Sequence, residues 1–363
     1  MNNIIKQLDE YLVEARELYN LPGVAVSVSV GDRGSERQAG LEYAKGVGVA
    51  DIRTNEPVKP EDIFHMASVS KMFTACGITK LVEEGKIRFD EKLVDVLPYL
   101  EVGDDRVKDV EIWQVMCHAS GMGNYEDDRW YDPKFGDDAL KNYALSAEVR
   151  ESGMLWHPDE NRFCYSSLAY ELLGLCITER SGMTFEDYMM DRFLKPLGMD
   201  SSTFYTPDML DGDTNLDLEA LKKAGCVMSH DKDENKNWTF VEIYPYNREH
   251  APSSCLTTTV FDLEKWGKAH LRKSVFKEET YEKIWTKHAL VPNNGEHMGL
   301  GWFMREQDGY KIIGHEGTDI GFRASHWICP QLDAQVTVVC NISGGAVKKI
   351  SKGIYDILIN TVK

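Results

Sequence analysis

No run in the sequence approaches the ~18 consecutive apolar residues of a membrane-crossing helix, so no transmembrane span is expected. The start, MNNIIKQLDEYLVEARELYN, lacks the ~7–15-residue apolar stretch after a basic leader that marks a secretory signal. Its apolar residues Ile4, Ile5, Leu8, Leu12, Ala15 and Leu18 recur instead at helical spacing, with acids between them. Positive charge is scarce: 41 Lys and Arg against 59 Asp and Glu leave a net charge of −18. Such a balance repels phosphate backbones and anionic lipid, which argues against nucleic acid and membrane partners. The eight cysteines form no CxxC pair, so neither a zinc cluster nor a redox motif is expected. Most lie in apolar runs such as TACGI and VTVVCNI, where a reduced thiol behaves as a small hydrophobe. The chain reads as cytoplasmic with free thiols. Its ten histidines show no paired metal spacing, and no metal or other cofactor is implied.

What is present is globular in composition, with 42% hydrophobic and 28% charged residues. VAVSVSV alternates like a half-buried strand, GVGVADI follows as a second, and residues 68–84 predict a helix ending at Gly85. Helical patterns then dominate to about residue 205, including SSLAYELLGLCITERSG. GCVMSH and NWTFVEIYPY read as a strand pair joined by DKDENKN. GLGWFMRE, GYKIIGH, GFRASHWIC and AQVTVVCNI return to strands before a closing amphipathic helix with Ile350, Ile354, Ile357 and Leu358. The expected fold is α/β: a mixed, mainly antiparallel sheet from both termini, flanked by helices, with a mostly helical unit inserted. Residues 1–64 and 252–363 would form the sheet domain and 65–251 the helical one, with a site between them.

Chemistry concentrates in a few places. Ser68 and Lys71 lie three apart at a predicted helix start, so they share a face. A serine hydroxyl needs a base to become a nucleophile, and a desolvated lysine can be that base. The same spacing equally suits a serine N-cap beside a solvated lysine. Tyr165-Ser166-Ser167 precedes another helix, where a phenol can relay a proton or simply pack. Gly314-His315-Glu316-Gly317-Thr318 ends a strand candidate; its glycines permit close backbone approach and its edge can offer N–H groups to an oxyanion. Asp211-x-Asp213-x-Asn215 and Asp231-x-Asp233-x-Asn235 begin like calcium loops but lack the glycine at position six, and are expected to be solvated turns.

SxxK, then a Tyr motif, then HxG late in a strand-rich tail resembles the serine β-lactamase and penicillin-binding-protein superfamily. The pattern looks most like the branch holding class C β-lactamases, D-Ala-D-Ala carboxypeptidases, D-aminopeptidases and β-lactamase-like esterases. FHMASVSKMFTA, IWQVMCHASGM, LLGLCITERSGMTFEDYMMDRFLKPLGMDSS and CLTTTVFDLEKWGKAHL are similar to further segments of that family, so the resemblance spans most of residues 20–345. It implies Ser68 as acylated nucleophile, Lys71 as its base and Tyr165 as proton shuttle, with the N–H groups of Ser68 and Thr318 as oxyanion hole. His315 stands where many members carry the lysine of KTG, to polarise the Tyr–Ser network or meet a substrate acid group.

The pattern also departs from the family. Ser167 replaces the usual asparagine of the Tyr motif, and Glu316 sits between His315 and Gly317 where a substrate carboxylate is usually bound. A carboxylate there repels an anionic substrate, which Arg323 would offset if it faced the cleft. The aromatic insert around Tyr125, Trp130, Tyr131 and Phe135 suits either the wall of an acyl pocket or a packed loop. The expected function is therefore a serine hydrolase, foremost an esterase on small carboxylic esters. A D-amino-acid-directed peptidase or amidase, or a weak β-lactamase, is the alternative. A catalytically inactive binding domain is the third reading.

Overall fold

The alternation in VAVSVSV produces β1 (Gly23–Val30) in a computed structural model that describes residues 2–31, 40–125, 130–206 and 217–362. The remaining strands of the main sheet are β2 (Leu41–Asp51), β3 (Glu56–Pro57), β4 (Ala289–Leu290), β5 (His297–Met298), β6 (Phe303–Gln307), β7 (Tyr310–Asp319), β8 (Phe322–Cys329) and β9 (Ala334–Cys340). Their order is β3-β2-β1-β9-β8-β7-β6-β5-β4, and every neighbouring pair is antiparallel. β1 pairs with the last strand, Val24 opposite Cys340 and Val30 opposite Ala334, so both ends of the chain build one sheet. The segment between β3 and β4 is mostly helical. The fold is thus a mixed α/β architecture with a large antiparallel sheet flanked by helices.

The longer helices are α1 (Asn2–Leu18), α2 (Ser70–Glu83), α3 (Ser167–Ser181), α4 (Val260–Leu271) and α5 (Val347–Val362). Leu8 and Leu12 of α1 and Ile350, Ile354 and Leu358 of α5 pack on one face of the sheet against Val24, Val26 and Val28. Leu18, which shares the helical spacing, stays 75% exposed at the end of α1. β1 is not half-buried, as its alternation suggested, but covered on both faces. Ser27 on the opposite face donates to Glu264 of α4 at 2.7 Å and accepts from Gln335 at 2.7 Å. A buried hydroxyl with both partners met is tolerated in a core strand.

α2 and α3 pack against each other, and α2 is buried along Ser70–Thr79 and α3 along Ser167–Ile177. Helices buried on every side carry little amphipathic signature, so their polar residues are placed by partners rather than by solvent. The expected strand pair near residue 230 is shorter than its pattern, His230–Lys232 against Trp238–Phe240. Asp233 Oδ1 accepts from Asn235 N and Asn237 N, so this calcium-like pattern closes on its own turn. The first such pattern, Asp211 to Asn215, lies outside the described residues. All eight cysteines are free thiols. No helix among the described residues is long and apolar enough to cross a membrane.

Candidate active site

Ser68, expected at a helix start, lies in a 3-10 turn, Ala67–Val69, that leads into α2. The cause is next door. Ala67 has φ +48°, a left-handed conformation that a residue with a Cβ takes only when its surroundings impose it. β7 presses on this turn: a Cβ added to Gly317 would lie 2.1 Å from Met66 O and 3.1 Å from the Ala67 Cβ. From the other side, Met66 N donates to Leu256 O at 2.8 Å. Ser70, the competing hydroxyl, is buried and engaged, donating to Ala67 O at 2.7 Å and accepting from Leu256 N at 2.9 Å.

The turn places Lys71 beneath Ser68. Lys71 Nζ lies 3.0 Å from Ser68 Oγ, 3.0 Å from Ser167 Oγ and 3.1 Å from Ser253 O. The side chain is fully buried, and among the described residues it makes no ion pair. As an ammonium it donates to all three oxygens. As a neutral amine it needs only its two N–H groups for Ser167 and the Ser253 carbonyl, leaving the lone pair for the Ser68 hydroxyl. The arrangement can therefore accept a proton from Ser68.

Ser167 reaches this point because the start of α3 is doubly capped. Ser166 Oγ accepts from Ala169 N at 3.0 Å, and Asn124 Oδ1 accepts from Ser167 N at 2.8 Å. His118 Nδ1 accepts from Ser166 N, and its ring lies against Tyr165 at a 32° tilt with centroids 4.3 Å apart. Phe303 stacks parallel to Tyr165 at 6.5 Å, and Lys71 Nζ lies 4.9 Å from the phenol ring centroid. The structure thus brings Ser68, Lys71, Tyr165 and Ser167 together.

Past Gly314, β7 is paired on one side by β8, while β6 ends at Phe303. The Ser68 turn occupies the vacated side. A cavity of about 460 Å³ opens there, with Ser68, Tyr165, Ser167, His315, Glu316 and Thr318 on its wall. His315 Nδ1–H donates to Glu316 O at 2.7 Å, which makes Nε2 the bare acceptor. Burial, aided by the Lys71 charge, holds its pKa down to about 3. Burial thus disfavours a charged imidazole at His315. His118 is likewise pushed well below the usual range by burial and by Lys71. Two uncharged imidazoles therefore flank Tyr165.

Glu316 projects to the α5 side, with Lys348 3.8 Å away; Lys348 itself lies closer to Glu296, at 2.9 Å. Burial raises the pKa of Glu316. Arg323 pairs with Thr318 across the strands, but its guanidinium donates back to Asp319 O and Phe322 O and is not on the cavity wall. The suggestion that it offsets Glu316 is corrected: the guanidinium is spent on the carbonyls of its own turn and does not reach the cavity. None of the four aromatic residues Tyr125, Trp130, Tyr131 and Phe135 is on the cavity wall. Trp130 packs edge-on to His65 and His250, Phe135 stacks on Tyr246, and Tyr131 is 78% exposed.

Several polar residues escaped the sequence reading. Glu171, four residues beyond Ser167 and so on the same face of α3, accepts from Ser253 Oγ at 2.5 Å and lies 3.2 Å from His250 Nδ1. Burial raises its pKa, against the pull of His250. This fully buried cluster holds the peptide whose carbonyl meets Lys71. Asp319 and Ser254 also line the cavity. The i,i+4 spacing could have flagged Glu171; the others come from chain segments far apart in sequence.

The architecture and cavity define a class, the serine β-lactamase and penicillin-binding-protein superfamily of serine hydrolases. The chain belongs to the Beta-lactamase family, whose model matches residues 2–360. It is 26% identical over 325 residues to penicillin-binding protein 4 of Amycolatopsis lactamdurans, covering 84% of this chain and 77% of that protein. The octameric penicillin-binding protein homologue from Pyrococcus abyssi shares the fold at TM-score 0.81 and 24% identity, over 98% of this chain and 77% of that one. A D-stereospecific amidohydrolase from Streptomyces sp. does so at TM-score 0.79 and 16% identity, over 97% and 98%.

Proposed function

We propose that the protein hydrolyses small carboxylic esters through an acyl-enzyme on Ser68. Lys71 takes the Ser68 proton as the hydroxyl adds to the substrate carbonyl, and the N–H groups of Ser68 and Thr318 receive the oxyanion. Tyr165 passes a proton to the departing alkoxide, and water then releases the acid by the same steps in reverse. The observation that carries this reading is the contact set of Lys71: three oxygens within 3.1 Å and, among the described residues, no carboxylate. A lysine without a counter-ion is available as a base; one locked in an ion pair is not.

A second reading, an amidase or peptidase directed at D-amino acids, is favoured by the acids on the cavity wall, Glu296, Glu316 and Asp319, against the single lysine Lys348. The similarity in fold to a D-stereospecific amidohydrolase points the same way. Anionic β-lactams meet Glu316 at short range and are the poorest match. The test is intact-mass analysis after an alkyl fluorophosphonate, followed by a chromogenic short-chain ester, a D-alanyl anilide and a cephalosporin side by side. An adduct on Ser68 and turnover of the ester are expected. Absence of an adduct overturns the enzyme reading in favour of a binding domain.

A further inference from the structure

β7 runs the length of the cavity, and its two ends differ in chemistry. At one end His315 meets Phe303 at 4.9 Å between centroids, and Phe303 lies flat along Tyr165. Four residues on, about 13 Å along an extended strand, Asp319 faces Ser254. Gly317 and Thr318, against the Ser68 turn, lie between. If Tyr165 serves the leaving group, that group occupies the aromatic end. The acyl portion then points toward Asp319, Ser254 and Asn124, three polar residues of the cavity wall.

Asp319 is held as a receptor would be. Its Oδ2 accepts from His65 Nε2 at 2.7 Å and from Ser254 Oγ at 3.0 Å. His65 is itself buried among the rings of Trp130, Tyr244 and Phe322, so the carboxylate cannot swing. No donor among the described residues reaches Oδ1, although Asp319 is only 9% exposed. A carboxylate oxygen left open on a cavity wall, at the position of the acyl α-carbon substituent, matches a short cationic donor.

We propose that Asp319 receives the protonated α-amino group of the acyl portion, so that the preferred substrates are esters and amides of amino acids with an unblocked amine. The assignment rests on the acyl-enzyme reading, since that reading decides which end of the cavity holds the acyl group. The hydroxyl of Ser254 and the amide of Asn124 supply further polar contacts beside the carboxylate. This narrows the substrate class from small esters in general to aminoacyl donors.

Three acyl donors test it as p-nitroanilides: alanine (both enantiomers), N-acetylalanine and propionyl, with a separate portion of the wild-type enzyme labelled by a fluorophosphonate to count active Ser68. Expected is a preference of at least ~10²-fold in kcat/KM for an unblocked alanine donor over the propionyl one, the scale of a charge-assisted pair out of water. KM for the unblocked donor should rise as pH passes its α-amino pKa, near ~8, while KM for the propionyl donor does not follow. Asp319→Asn should shrink the preference below ~10-fold, mainly through KM, the signature of lost ground-state binding. Labelling of Ser68 with equal rates on all three donors overturns the ammonium site and leaves the acyl-enzyme intact. Failure to label overturns the acyl-enzyme itself. A preference that survives in Asp319→Asn overturns Asp319 as the receptor. Should that variant not fold, the wild-type KM profile decides alone: a flat profile for the unblocked donor refutes the proposal.

Discussion

Gly317→Ala isolates the contact on which the geometry around Ser68 rests. Gly317 does not use a positive φ, so alanine meets no torsional penalty there, and any effect comes from space. The new Cβ would stand 2.1 Å from Met66 O, and real contacts of this kind do not fall below 3.0 Å. The Ser68 turn and β7 must therefore part by about 1 Å, and a displacement of that size typically costs ~10²-fold in rate. Because the two N–H groups assigned to the oxyanion lie on opposite sides of this contact, the loss should fall on kcat, as it does when one oxyanion donor is removed, ~10²–10³-fold. Overpacking should also lower stability by about 1–3 kcal/mol. Gly46→Ala is the control: its Cβ would meet Val58 O at 2.3 Å, on β2 and away from the cavity, so it should lower Tm without the loss in kcat. Steady-state ester kinetics beside thermal melts of both variants decide the matter. Near wild-type kcat in Gly317→Ala would show that the spacing of turn and strand does not govern catalysis.

Ser68→Ala should abolish turnover and fluorophosphonate labelling while leaving Tm close to wild type, and Lys71→Ala should cost ~10²–10⁴-fold in acylation; residual wild-type rates in either reject its assigned role. Glu171→Gln keeps an acceptor for Ser253 and should stay within a few-fold of wild-type activity. Glu171→Leu strands the Ser253 hydroxyl and the His250 ring, and should lower both Tm, by about 1–3 kcal/mol in stability, and kcat, since the carbonyl facing Lys71 loses its support; equal behaviour of the two variants would remove Glu171 from the site. His270, His315 and His326 are each held down to about 3 by burial. The unfolded chain takes up protons at these positions below about 6.5 and the native state does not until about 3, so stability should fall as pH drops through that window. Chemical denaturation from pH 7 to 4 reads the slope, and His326→Gln should flatten it; a slope unaltered by that change would contradict the burial argument.

Features that depend only on neighbours along the chain were already present in the sequence. Ser68 and Lys71 come together because residues three apart share one turn, whether that turn is 3-10 or α. The alternation of β1 and the spacing in α1 and α5 announce strands and helices for the same local reason. The pairing of the first strand with the last was suggested by where the strand patterns fall, and the register then seated β7 beside the Ser68 turn. Burial is different, because it depends on what packs from elsewhere. No local pattern could tell that His315 would be neutral, that Arg323 would fold back onto its own turn, or that Tyr125 and Trp130 would pack on His250 rather than on the cavity wall. The Ser253 carbonyl on Lys71 and the His65 ring behind Asp319 are contacts across 182 and 254 residues. Periodicity has no reach over such distances. Only the packing of helices against the sheet decides which polar atoms lose water, and with it which ones keep a charge.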